Sequence, residues 1–76
     1  MIEPDLEVDT SGLQCPLPLL RLKKALVGLE SGQIIKMITT DPAAHLDFGV
    51  YCQQAGHEIL EQAKQTERTL FYIKKK

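Results

Sequence analysis

The chain has few cysteines, no surplus of charge of either sign and no long apolar run, and each shortage closes a class of function. Its two cysteines, Cys15 and Cys52, lie far apart with no CxxC, so neither a disulfide framework nor a redox pair is expected. Formal net charge is −1, from nine Lys and Arg against ten Asp and Glu, which gives no global pull toward nucleic acid or an anionic membrane. No stretch approaches membrane-spanning length, and the opening MIEPDLEVD is acidic where a secretory leader would be basic and then apolar. The cytoplasm is the expected location, with no membrane partner. His45 and His57 do not show with the cysteines the close spacing of structural zinc sites, and no oxyanion hole or His–thiol dyad is indicated, so no metal and no cofactor is expected.

What is present is the composition of a folded soluble domain: 43% hydrophobic and 25% charged over 76 residues. That length supports one core but not a core plus a deep enclosed cavity, so the whole chain, residues 1–76, is expected to be one domain acting on something a partner brings.

Leu6 and Val8 alternate with acidic neighbours as a short strand ended by Thr10, Ser11 and Gly12. Leu19, Leu22, Ala25, Leu26 and Leu29 then recur at helical spacing, with Arg21, Lys23 and Lys24 opposite them, up to the break at Ser31-Gly32. Gln33 to Thr40 reads as a buried strand, rich in Ile, Met and Thr. Asp41-Pro42 reads as N-cap and first helical residue of a helix over about Ala43 to Ala55, with Ala44, Phe48, Cys52 and Ala55 inward and Gly56 at its end. His57 to Gln65 and Thr69 to Lys75 suit two strands of a hairpin turning at Thr66, Glu67 and Arg68. The order β-α-β-α-β-β predicts an α+β sandwich of two layers, both helices on one face of a single sheet. The other face is left open for docking or weak dimerisation, so the chain is expected to be a monomer or a weak dimer.

The informative stretch is Gly12-Leu13-Gln14-Cys15-Pro16-Leu17-Pro18, which puts a thiol between a strand end and a helix start. Proline is tolerated in a first helical turn, where its missing N–H has no intrahelical partner, so Cys15 falls near the N-cap. Positive potential at a helix N-terminus favours thiolate. The two prolines also remove donors from that turn, so the sulfur anion should be only moderately stabilised while the fixed φ angles keep the sulfur projecting outward. Such a thiol suits sulfur transfer, where a very stable anion would be a poor donor or acceptor.

Gly12-Leu13-x-Cys15-Pro16-x-Pro18 resembles the CPxP signature of the TusA/SirA family of small bacterial sulfur-carrier proteins. Asp41-Pro42, Asp47, Tyr51-Cys52, Gly56-His57 and a last strand ending in lysines fall at similar spacings, so the resemblance runs from Leu6 to Lys75. It implies a four-stranded mixed sheet of order 1-2-4-3. It also implies that Cys15 accepts a persulfide sulfur from a cysteine desulfurase or rhodanese-like donor and yields it to a downstream acceptor protein, in tRNA thiolation or dissimilatory sulfur metabolism. On that resemblance Pro16 and Pro18 shape the turn, Gly12 permits close approach of the loop, and Asp41 is a neighbour for partner docking. Many members serving tRNA thiolation carry an acidic residue between the prolines. Leu17 stands there in this chain, which tilts the expectation toward the second pathway and predicts a Cys15 somewhat more acidic than in relatives with the acidic motif, since one negative charge is gone.

Cys52, on the inward side of its helix, reads as a core residue. Arg21, Lys23 and Lys24 suit either a solvated helix face or attraction of an acidic rim on a partner. Lys74, Lys75 and Lys76 read as guards of a terminal sheet edge. Without interleaved aromatics they give no reason to expect direct nucleic-acid contact. His45 reads as solvated surface, and His57 as closing its helix by bonding a terminal carbonyl. A different class of function is a non-catalytic redox-sensing or regulatory interaction module, with the open sheet face as its binding surface.

Overall fold

The structure is a computed structural model and describes residues 2–76. Its elements follow the expected order: β1 (Leu6–Thr10), α1 (Leu17–Val27), β2 (Ile34–Thr39), α2 (Ala44–Ala55), β3 (Glu58–Lys64) and β4 (Thr69–Lys74). The strands form one mixed sheet of order β1-β2-β4-β3. β1 and β2 are parallel, and β4 runs antiparallel to both β2 and β3. Two adjacent strands therefore end at the same side, each followed by a loop and a helix.

The apolar spacing read from sequence is the packing that forms. Leu22 and Leu26 of α1 and Ala44, Phe48 and Cys52 of α2 join Ile35, Met37, Phe71 and Ile73 of the sheet in one buried cluster, which puts both helices on one face. At its centre the Phe48 ring meets Phe71 edge-on, centroids 4.9 Å apart, the geometry that aromatic quadrupoles favour. Ala55, the last of the expected inward set, is only half-buried.

The helix ends depart from expectation in instructive ways. α1 stops at Val27, where the Gly28 N–H turns back to the Ala25 carbonyl and the Leu29 N–H to the Leu26 carbonyl, before the Ser31-Gly32 break. Leu29, beyond the helix, still packs on the core. α2 starts at Ala44 with Ala43 as N-cap. Asp41 instead organises the turn before it: its Oδ1 accepts the Ala43 N–H at 3.1 Å and its carbonyl accepts the Ala44 N–H at 3.2 Å. Gly56 ends α2 at φ 87°, a left-handed conformation unfavourable for a residue with a Cβ.

The sheet face away from the helices is not a broad apolar surface. Its aliphatics Ile38 and Leu70 are buried, while Glu7 and Lys36 form an ion pair there at 3.4 Å and the Lys36 ammonium stands 5.9 Å from the Tyr72 ring centroid. The final lysines do not guard an edge, because β4 is an interior strand. Lys75 Nζ donates to the Leu29 carbonyl at 2.6 Å, and the Lys76 N–H donates to His57 Nδ1 at 3.0 Å. His57 thus holds the end of the chain and does not close its helix. His45 is exposed as expected, with Nδ1 2.8 Å from the Pro42 carbonyl.

Candidate functional site: an exposed thiol facing two carboxylates

The site grows from the paired ends of β1 and β2, where Thr10 and Thr39 are register partners and both are buried. The Thr10 hydroxyl donates to the Ile38 carbonyl at 2.6 Å, and Thr39 Oγ1 accepts the Asp41 N–H at 3.1 Å. Both loops therefore leave the sheet from fixed positions.

After β1 the chain turns at once, the Leu13 N–H bonding the Thr10 carbonyl at 3.1 Å. Gly12, third of the four turn residues, has φ 82°, and no other residue type tolerates that position as well. A Cβ built there meets nothing within 4 Å, so the glycine serves backbone conformation and not a close approach. The Asp9 carboxylate accepts from the Ser11 N–H and hydroxyl, which lowers its pKa. The Gly12 N–H donates to Thr40 Oγ1 at 2.9 Å, tying this turn to the loop after β2. Between the loops lies an open groove of about 480 Å³, lined by Gly12, Leu13, Gln14, Cys15, Thr40, Asp41 and Pro42.

Cys15 stands exposed on the rim of this groove, one residue before the Pro16 N-cap of α1, and its peptide bond to Pro16 is cis. Pro18, at the start of the helix, is buried and anchors it, whereas Leu17 remains 46% exposed beside the thiol. The local backbone offers the sulfur little. Pro16 and Pro18 have no N–H, the Leu17 N–H is taken by the Gln14 carbonyl at 2.8 Å, and the Leu20 N–H by the Pro16 carbonyl at 3.1 Å. No side-chain bond caps the helix.

The sulfur's partner lies elsewhere in the chain. The Cys15 thiol donates to Asp47 Oδ2 at 2.9 Å, from α1's entrance to the first turn of α2. An anion accepting the thiol hydrogen favours the protonated form, so the Cys15 pKa is raised. The hydrogen bond is the largest cause, followed by partial desolvation and the charges of Asp47 and Asp41. The expected moderate stabilisation of the thiolate is thereby corrected: a carboxylate contributed from α2 outweighs the helix N-terminus. Asp41 also faces this groove, with its Oδ2 buried and without a hydrogen-bond partner.

Of the basic residues on α1, only Lys23 reaches this neighbourhood. It lines a smaller groove of about 220 Å³ with Leu19, Asp47, Val50, Tyr51 and Gln54, its ammonium 5.1 Å from the Tyr51 ring centroid. Arg21 and Lys24 line a separate groove with Val8, Ala25 and Gly28. Cys52 is buried in the core, and its thiol is pushed up to about 11 by desolvation. Asp47 is the site residue to which sequence reasoning assigned no role. Its signals were its place among the positions that match the family's spacing, and its helical position, three residues after inward Ala44 and one before inward Phe48.

Comparison with known proteins agrees with this architecture. The family described as "Sulfurtransferase TusA" matches residues 6–75. The sulfur carrier protein TusA of Allochromatium vinosum is 44% identical over 75 residues, covering 99% of both chains. The putative sulfur carrier protein YrkI of Bacillus subtilis is 39% identical over 74 residues, covering 97% of this chain and 99% of that one. The crystal structure of a SirA-like protein from Desulfitobacterium hafniense superposes with a TM-score of 0.79 at 24% identity, covering 91% of this chain and 95% of that one, and so shares the fold. By the breadth of these matches and the CPxP stretch they span, the chain belongs to the TusA sulfurtransferase family.

Proposed function

We propose that this chain, as one carrier domain over residues 1–76, relays sulfur between proteins as a persulfide on Cys15. The observation that carries the reading is the placement of one exposed thiol at the rim of an open groove, on loops fastened to two parallel strand ends. Relatives of near-equal length named as sulfur carriers support it. In loading, Sγ of Cys15 attacks the outer sulfur of a donor persulfide. A new S–S bond forms at Cys15, the donor's S–S bond breaks, and its electron pair leaves on the donor thiolate, which takes up the proton released by Cys15. The outer sulfur moves with no net oxidation. Unloading is the same exchange toward an acceptor thiol.

The donor is a cysteine desulfurase or a rhodanese-like protein, and the acceptor a downstream protein of a cytoplasmic sulfur relay. The apolar Leu17 beside the thiol fits a dissimilatory pathway better than tRNA thiolation. Asp41 in the thiol groove and Lys23 beside Asp47 are contact points for these partners, whereas Arg21 and Lys24 lie on another groove. The test is incubation with a cysteine desulfurase and cysteine, followed by intact mass. Wild type and Cys52→Ser gain one sulfur atom and Cys15→Ser gains none. Loading at neither cysteine sinks the relay and leaves a binding module.

A further inference from the structure

The thiol faces two carboxylates that no ion pair neutralises among the described residues. Asp47 on α2 accepts the Cys15 hydrogen at 2.9 Å, and Asp41, on the loop before α2, lines the same groove with one carboxylate oxygen buried and without a partner. The one ion pair among the described residues, Lys36 with Glu7, lies on the opposite sheet face. The other charged groups near the site form no ion pair with either carboxylate, Lys23 included although it shares a groove with Asp47. Lys23 of α1 rests over Tyr51, His45 of α2 bonds the Pro42 carbonyl, Asp9 at the end of β1 is held by Ser11, and Arg21 lines another groove.

We propose that Asp47 and Asp41 make the thiol groove an anion-excluding site, in which Asp47 holds Cys15 as the resting thiol and sulfur is accepted from a donor that brings a cationic side chain. A like charge near the reacting sulfur slows approach of an anion and favours a cation, by Coulomb energy alone. Free anionic sulfur species such as thiosulfate or polysulfide are therefore poor donors, and a protein persulfide flanked by Lys or Arg is a good one. Pairing of that cation with Asp47 withdraws the carboxylate from the thiol hydrogen, so thiolate forms at the encounter and not before. The outer sulfur of the loaded form stands ~2 Å beyond Sγ, one S–S bond further out. This last part rests on the sulfur-carrier reading; the charge selectivity does not.

The experiment uses the folded chain and three small probes of Cys15: neutral iodoacetamide, and cationic and anionic thiosulfonates, with free cysteine as the reference thiol. Wild type is expected to prefer the cationic over the anionic reagent by roughly tenfold more than free cysteine does at low salt. Asp47→Asn, which keeps the size of the side chain and removes its charge, shrinks that preference several-fold and shifts the iodoacetamide pH–rate profile to lower pH. Glu7→Gln, an equal charge loss on the far sheet face, changes neither. A preference equal to that of free cysteine, or one unaltered in Asp47→Asn together with an unmoved profile, overturns the inference. Desulfurase loading of the same samples separates the two readings. Normal loading with no charge selectivity removes this inference alone, and absent loading with the selectivity intact removes the carrier reading alone.

Discussion

The two cysteines sit in opposite kinds of place, and both have raised pKa values. Cys52 is raised because the core withholds water from it, a property of the whole packed cluster around Phe48 and Phe71. Cys15 is raised chiefly because one carboxylate oxygen accepts its hydrogen. The first cause is removed only by opening the fold, the second by a single side chain or an approaching cation. Direction of shift therefore says little about reactivity, and the origin of the shift says much.

The largest expected effect that tests this contrast is labelling. Under native conditions iodoacetamide should modify Cys15 to completion while Cys52 reacts at least about a thousandfold more slowly, protected by the free energy of opening the core. Mass mapping after timed quenching measures both rates, and comparable rates would break the comparison. Phe48→Ala should come next. Removing a fully buried ring from the cluster that holds Cys52 costs about 3–5 kcal/mol, read from chemical denaturation, and should speed Cys52 labelling while leaving Cys15 nearly unchanged. Leu20→Ala, at a position 51% exposed, should stay within about 0.5 kcal/mol of wild type. A further effect is in alkaline pH. The folded Cys52 thiol titrates at about 11 against 9.0 for the ordinary group, so the unfolded chain loses this proton first. Stability from this group is fully present below about pH 9 and declines as pH rises toward about 11. Cys52→Ala should flatten that decline relative to wild type, and an unchanged slope would show that the thiol does not ionise on unfolding in this range.

The sequence disclosed those parts of the molecule whose causes are local. Apolar spacing fixed which faces of α1 and α2 turn inward, and Gly56 fixed where α2 ends. The CPxP stretch marked the thiol, and resemblance supplied the strand order that periodicity could not. What escaped were contacts across the fold. Asp47 meets Cys15 only because the two helix entrances are brought together, and nothing within either segment announces it. His57 and Lys76 meet through the β3–β4 hairpin, where Glu58 pairs with Lys74, but the spacing alone did not show that the ring would take the Lys76 N–H. The moderately stabilised thiolate expected at the entrance of α1 gives way for a related reason: the carboxylate that faces the sulfur comes from α2, which the backbone of α1 does not reveal.

The buried hydroxyl of Thr10, clasping the neighbouring strand at the Ile38 carbonyl, gives the molecule a stiff chassis beneath an adjustable workpiece. The loops are bolted to the sheet by backbone and threonine groups, so the side chains at positions 14, 17 and 47 take no part in the bonds that hold the frame. What meets the sulfur is thus set by side chains that the frame carries without depending on them.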